Sequence, residues 1–310
     1  MDKIAVLIPC YNEEMTIKKV IEDFKRLLPL ATVYVYDNNS TDNTAKVAKE
    51  AGAVVKSEYR QGKGHVVRSM FMDIDADIYV MTDGDDTYPA EFVDRLITPI
   101  QNGEADMVIG DRHSNGTYKA ENKRALHNFG NNLVKNFINL LFHADLKDIM
   151  SGYRVFNKKF VKNMPVNSGG FEIETEMTLH ALDKSFLIKE IAIEYRDRPD
   201  GSFSKLNTYS DGLKVLKTIM WLFKDYKPLS FFLFISFLFF LLGLFVGVPV
   251  IIEFIETLYI TKVPSAILSV GLIIISVLAL FSGFILDTAV KQHRENYFLQ
   301  MLRWLEDHKK

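Results

Sequence analysis

Short apolar runs alternate with amphipathic stretches through the first 210 residues. KIAVLIPCY (3–11) is an apolar run that stops in a polar turn, and it reads as a strand. MTIKKVIEDFKRLL follows with a helical period, and Asn12, Glu13 and Glu14 stand at its start, where acidic groups favour the helix dipole. TVYVYDNNS is a second strand ending in Asp, Asn and Ser, and TDNTAKVAKEAG is a second helix with Gly52 as its stop. AVVKSEY, ADIYVMTDGDD and ADMVIGDR add three more strands, with helical stretches at HVVRSMFMDID and, after Pro89, at PAEFVDRLITPIQNG. This strand–helix rhythm predicts an α/β domain with an open, mostly parallel sheet covered by helices. Ligands bind such sheets beyond the carboxyl ends of the strands. The polar groups gather where that rule wants them: Tyr11–Glu13, Asp37–Ser40, Asp83–Asp86 and Asp111–Arg112 each end an apolar run. Residues 112–206 are more broken and are expected to hold an acceptor-side subdomain.

The pattern changes after residue 210. Residues 231–252 and 263–286 contain no Asp, Glu, Lys or Arg. At about 1.5 Å per residue, either run can cross a hydrocarbon core of roughly 30 Å as a helix. The connection EFIETLYITK (253–262) is long enough only for a hairpin. Lys214, Lys217, Lys224 and Lys227 precede the first run, and Lys291, Arg294, Arg303, Lys309 and Lys310 follow the second, whereas the connection carries only Lys262. Positive charge is retained on the cytoplasmic side, so both ends are expected there, in a two-span protein of the cell membrane. GLKVLKTIMWLFKDYKP (212–228) and QHRENYFLQMLRWLEDHKK have the stripes of amphipathic helices, either lying in the headgroup layer or packed on the soluble domain. The expected organisation is a catalytic domain at 1–210, a juxtamembrane helix at 211–229, two spans within 230–287 and a cytoplasmic tail at 288–310.

Composition narrows the function classes. The 37 Lys+Arg against 39 Asp+Glu leave a net charge of −2, which argues against nucleic acid held by bulk positive charge. Cys10 is the only cysteine, so no internal disulfide can form, as suits a reducing compartment. The chain has neither a G-x-G-x-x-G after the first strand nor a G-x-x-x-x-G-K-[ST], which disfavours a dinucleotide fold and a P-loop. The seven histidines show no paired metal spacing. Gly62-Lys63-Gly64 is either a phosphate cradle or a plain turn, and Glu172, Glu174 and Glu176 read as the edge of a strand or a helix start. Gln300 to Trp304 matches the Q-x-x-R-W of processive polysaccharide synthases, but it follows both spans instead of preceding them and reads as a chance match.

The chemistry concentrates at Thr82-Asp83-Gly84-Asp85-Asp86. A turn at Gly84 could aim one carboxylate at a metal and another at a sugar or ribose, and hard oxygen donors of this kind suit Mg²⁺ or Mn²⁺ bridging a diphosphate. Together with Val6-Leu7-Ile8-Pro9-Cys10-Tyr11-Asn12-Glu13 and Tyr36-Asp37-Asn38-Asn39-Ser40-Thr41-Asp42, this segment resembles the family 2 glycosyltransferases of the GT-A fold. Within them the chain is similar to polyprenyl-phosphate sugar transferases, relatives of dolichyl-phosphate mannose synthase. Ile109-Gly110-Asp111-Arg112, Ser151-Gly152-Tyr153-Arg154 and the stretch from Arg198 to Lys205 agree, and the two spans match the membrane-bound branch.

The resemblance implies roles. Pro9, Tyr11 and Glu13 would line the base and ribose of a nucleotide sugar, and Asp37 would accept a hydrogen bond from the base. Asn38 stands where the family often has a second Asp. Asp83 and Asp85 would hold the ribose and the metal-bound diphosphate; Thr87 stands where mannose synthases tend to place a Gln. Arg112 and Arg124, with Asn128 one helical turn later, would receive the acceptor phosphate. Arg198 and Lys205 would close over the donor, and Asp148 would support the site or act as an acid. The function implied is an inverting transfer of one sugar, from UDP-glucose or UDP-N-acetylglucosamine, with GDP-mannose as the alternative donor, to undecaprenyl phosphate or a similar lipid, for cell-wall or surface-glycan modification. The alternatives are a transferase extending a lipid-linked oligosaccharide and a catalytically silent membrane scaffold. A homo-oligomer stays open, because no interface is legible.

Overall fold

Seven strands form one sheet among the residues that the computed structural model describes, 2–114, 125–170, 172–196 and 211–307 (the side chains of 125–129 and 211–218 excepted). The strands are β1 (Ile4–Cys10), β2 (Thr32–Asp37), β3 (Val54–Ser57), β4 (Ile78–Met81), β5 (Met107–Asp111), β6 (Arg154–Asn157) and β7 (Ile188–Ala192), in the spatial order β3-β2-β1-β4-β6-β5-β7. β1 pairs in parallel with β2 and β4, β2 with β3, and β5 with β7. β6 runs antiparallel to both of its neighbours, β4 and β5. The sheet is therefore mostly parallel but mixed. The carboxyl ends of β1, β2, β4 and β5 all lie on one edge, and the chain enters β6 from that same edge. Residues 148–153 are thereby brought beside the four polar strand ends.

Alternation along β1 explains the two layers. Val6, Ile8 and Cys10 face a core shared with Val33, Val35, Val80, Val108 and Val155. Ile17, Val20, Ile21 and Phe24 of α1 (Ile17–Leu27) and Val93, Leu96, Ile97 and Ile100 of α4 (Val93–Gln101) close that core. On the opposite side, α3 (Lys63–Asp73) buries Val66, Val67, Met70 and Phe71. α2 (Thr44–Glu50) ends before Gly52, whose φ of 83° needs a residue without a Cβ. α4 is preceded by a 3₁₀ turn over Ala90–Phe92, with Pro89 as its N-cap. α5 (Ala125–Phe142), α6 (Lys158–Asn163) and α7 (Ile173–Asp183) complete this unit.

The chain divides into two compact units, Met1–Asp211 and Gly212–Lys310. The second contains α8 (Asp211–Tyr226, which begins at the boundary), α9 (Pro228–Thr257) and α10 (Val263–Asp307). α9 and α10 are both long and apolar enough to cross a membrane. They pair closely where side chains are small: Ser236 and Ser276 place their Oγ atoms 3.1 Å apart, and Ser269 Oγ donates to the Gly243 carbonyl at 2.8 Å. A Cβ on Gly243 would lie 2.7 Å from Ile273 Cδ1, so glycine is what permits the approach. The residues of the expected tail continue the second apolar run without a break, through Asp307. No proline or glycine occurs between Phe284 and Asp307 to stop the helix.

Candidate functional site

The β1 and β2 ends are stitched together by side chains gripping backbone. Asn12 N–H donates to Ser40 Oγ at 2.9 Å, Glu13 N–H to Thr44 Oγ1 at 2.8 Å, and Thr41 N–H to Asn12 Oδ1 at 2.7 Å. Asn12, Asn39 and Asp86 have φ of 53°, 62° and 59°, left-handed conformations that Asn and Asp tolerate better than most residues. One such residue stands in the turn after each of β1, β2 and β4, so the loops that form the edge are held in defined shapes.

Asp37 sits opposite Cys10 in the parallel ladder and is 7% exposed. Its Oδ2 accepts from Ser40 N–H at 3.2 Å, while its Oδ1 is buried and has no hydrogen-bond partner among the described residues. A buried carboxylate oxygen in that state costs free energy that a donor from a bound molecule would recover. Pro9, Tyr11 and Glu13 lie half-buried beside it on the β1 end.

Asn38 has a different task. Its Nδ2 donates to the carbonyls of Glu58 and Arg60 at 2.9 and 2.8 Å, and its Oδ1 accepts from Gly62 N–H at 2.7 Å. It fixes the loop that leads from β3 into α3. An aspartate here would set a carboxylate against two carbonyl oxygens. Asn38→Asp is expected to destabilise the fold by about 2–4 kcal/mol; thermal unfolding checks this, and a melting temperature unchanged within experimental scatter would refute it.

After β4, the acids separate into distinct environments. Asp85 is 3% exposed, and its Oδ1 accepts from Thr87 Oγ1 at 2.7 Å and Thr87 N–H at 3.2 Å. Thr87 therefore braces Asp85. Asp83 Oδ1 lies 2.5 Å from Lys63 Nζ, and a Cβ on Gly152 would meet Asp83 Oδ2 at 2.7 Å, so only glycine lets the carboxylate lie there. Asp86 turns away to Lys19 Nζ at 2.5 Å.

The sequence points to the Gly62-Lys63-Gly64 turn but not to the partners of Lys63. Its ammonium is buried between Asp83 and Glu174, 2.5 Å from each. Burial pushes the ammonium pKa down, but the two carboxylates more than offset this and hold it above its ordinary value. The loop before α7 seats itself on the glycines that flank Lys63: Gly64 N–H donates to the Gly170 carbonyl at 3.1 Å, and a Cβ on Gly62 or Gly64 would overlap the carbonyls of Gly169 or Ser168. Gly62-Lys63-Gly64 is thus a packed turn aiming a lysine at the acidic edge, a stronger arrangement than a plain turn.

On the β5 side, Arg112 and Asp148 pair face to face. Arg112 Nε donates to Asp148 Oδ2 at 2.7 Å and Nη2 to Oδ1 at 2.9 Å. Arg112 Nη1 donates to Tyr88 OH at 3.4 Å, and the guanidinium lies 5.6 Å from the Tyr195 ring centroid. Burial raises the Asp148 pKa, but Arg112 overrides it and pulls the carboxyl down to about 2. The Asp148 carboxylate, held ionised at neutral pH by this pairing, aims Arg112. Arg112 turns one fork of its guanidinium, Nε and Nη2, toward Asp148. Beside this pair lies a small open depression in which Arg112, Lys135 and Lys147 supply positive charge and Asp148 the one negative charge, with His113, Asn131 and Asn132 completing its polar lining. Asn128 lies one turn before Asn131 and Asn132 and two before Lys135 on α5, on the same helical face by spacing. Arg124, Arg198 and Lys205 lie outside the described residues.

The donor set at β4 suits a hard divalent cation, since Asp83 and Asp85 offer carboxylate oxygens from one turn. No group of three or more His, Cys, Asp and Glu fit to hold a metal occurs among the described residues. Further ligand oxygens would have to come from phosphates and water, as is usual for Mg²⁺.

The profile described as Glycosyl transferase family 2 matches residues 5–164. The glycosyltransferase AglJ of Haloferax volcanii is 33% identical over 295 residues, which cover 95% of this chain and 96% of that protein. A dolichyl-phosphate hexose transferase of the same organism is 29% identical over 221 residues, or 71% of this chain and 93% of that one. Among solved structures, glucosyl-3-phosphoglycerate synthase from Mycobacterium tuberculosis, in complex with Mn²⁺, UDP-glucose and phosphoglyceric acid, superposes with a TM-score of 0.57 at 22% identity, over 72% of this chain and 79% of that one. At that identity the likeness establishes the fold. The mixed sheet with its acidic carboxyl edge is the GT-A fold, and the chain belongs to glycosyl transferase family 2 and is a glycosyltransferase.

Proposed function

We propose that this glycosyltransferase moves one sugar from a nucleotide sugar to a polyprenyl phosphate, such as undecaprenyl phosphate, with inversion at the anomeric carbon. The observation that carries the reading is a single sheet edge with acids at one end, the buried Asp37 and Asp85 and the half-buried Asp83, and at the other the depression around Arg112, with Lys135 and Lys147. The unpartnered Asp37 Oδ1 would accept a base N–H, with Pro9, Tyr11 and Glu13 lining base and ribose. Asp83 and Asp85 would hold ribose and a metal-bound diphosphate. A bound Mg²⁺ or Mn²⁺ would offset the charge that grows on the leaving diphosphate. Arg198 and Lys205 would close over the donor.

The acceptor side needs aim more than a base. A phosphate monoester has a second pKa of about 6 and is largely dianionic at neutral pH. The ionised, arginine-bound Asp148 fits that requirement, because no group has to remove a proton. Lys135, Lys147, Asn128 and Arg124 would draw the phosphate into the depression, beside the Arg112–Asp148 pair. The distribution of Lys and Arg favours a cytoplasmic catalytic unit and C-terminus, with α9 and α10 spanning the membrane. The name of the dolichyl-phosphate hexose transferase relative supports a lipid-phosphate acceptor.

A donor panel tests the proposal. Detergent-solubilised protein is incubated with labelled UDP-glucose, UDP-N-acetylglucosamine or GDP-mannose and bare polyprenyl phosphate, with and without EDTA. Label is expected to reach the lipid with one donor, to stop with EDTA and to return with Mn²⁺ or Mg²⁺. Transfer only to a lipid-linked oligosaccharide would support the extending transferase, and silence with every donor would support the scaffold.

A further inference from the structure

Lys63 touches two acids, and only Asp83 belongs to the proposed donor site. The other, Glu174, stands in the first turn of α7, 111 residues further along the chain, and is 5% exposed. Its neighbours are not equivalent to it. Glu176 uses both carboxylate oxygens to accept the N–H groups of Asn167 and Ser168, at 2.9 Å each, and so shapes the loop. Glu172 is exposed. Glu174 alone of the three is paired with the lysine that grips Asp83.

The charges explain why a second acid would be placed there. A lysine bound to Asp83 alone would neutralise it and weaken its pull on a divalent cation. With Glu174 as a second partner, the Asp83–Lys63–Glu174 group keeps one net negative charge, and Asp85 adds another. Asp83 is at the same time fixed in orientation, with Oδ1 on the ammonium and Oδ2 against Gly152.

We infer that Glu174 is a positioning residue of the donor site, which acts through Lys63 by balancing its charge, so that Asp83 keeps its negative pull on a divalent cation. This rests on the metal-dependent reading above and adds a residue outside the acidic turn to it.

The test uses Mn²⁺ alone, titrated into the full-length protein in detergent and followed by the electron paramagnetic resonance signal of the free ion. Glu174→Gln is expected to weaken Mn²⁺ binding about tenfold, the scale of one charge acting on a divalent ion across a few ångströms of hydrated protein. The double variant Lys63→Met/Glu174→Gln removes one charge of each sign and is expected to return within about twofold of the wild type. In transfer assays, Glu174→Gln should raise the Mn²⁺ concentration needed for half-maximal rate and leave the rate at saturating Mn²⁺ nearly unchanged. A purely structural role for Glu174 would give no rescue in the double variant. Unchanged Mn²⁺ binding in Glu174→Gln, or a double variant as weak as the single one, overturns the inference. Asp85→Asn separates the two levels. If it abolishes Mn²⁺ binding while Glu174→Gln does not weaken it, only the role of Glu174 falls. If the wild type and both variants bind alike, the metal site itself falls, and this inference with it.

Discussion

Asp85→Asn is expected to lower the transfer rate by about 10²–10³-fold or more, the size of effect seen when one preorganised group facing developing charge is removed. The substitution is nearly isosteric. Thr87 can still donate to the remaining oxygen, as it does to Asp85 Oδ1 at 2.7 Å, so the turn after β4 should keep its shape. What is lost is a charge in a buried setting, where electrostatic interactions are less screened than in water. Asp86 cannot replace it, because its φ of 59° and its contact with Lys19 direct it elsewhere. Labelled-sugar transfer, run beside circular dichroism and a melting curve, checks the prediction. A variant that melts like the wild type and still transfers at more than about a tenth of its rate would remove Asp85 from the chemistry.

Much of this edge is legible in the amino-acid sequence alone. β1, β2, β4 and β5 are visible because their apolar runs end abruptly in polar residues, and in a parallel sheet those ends fall on one side. The pairing of distant residues is not legible. β6 and β7 are strands of four and five residues inside a broken region, and β6 inserts antiparallel between β4 and β5, an arrangement that no local pattern announces. Arg112 and Asp148 are separated by 36 residues and Lys63 and Glu174 by 111, so composition and periodicity say nothing of either pair. The glycines around Lys63 are a signal of a kind, because a lysine between two glycines requires a reason. The reason, the carbonyls of Ser168 and Gly169 pressed against the turn, lies about a hundred residues downstream. The Asn at position 38 is likewise visible as a departure from an acidic pattern, but its four polar contacts exist only once β3 has been laid beside β2.

Asp148→Asn is expected to destabilise the catalytic unit by about 3–5 kcal/mol, because it leaves the buried Arg112 guanidinium without its anion. For a domain of this size, that corresponds to a fall in melting temperature of roughly 6–20 °C. The pH dependence makes the origin identifiable. The folded-state pKa of Asp148, about 2, lies below its ordinary value of 3.8. A group with a depressed pKa contributes stability that is fully present above its unfolded value and is lost as pH falls through the folded one. A shift of this size corresponds to about 2–3 kcal/mol, present at neutral pH and declining from about pH 4 toward pH 2. The asparagine has no such titration. The gap in melting temperature between wild type and variant should therefore be widest near neutral pH and narrow below about pH 4. Melting curves across that range decide the matter. A gap that stays constant with pH would mean that the variant fails through packing and not through the lost ion pair, and a gap below about 2 °C at neutral pH would mean that Arg112 does not depend on Asp148 at all.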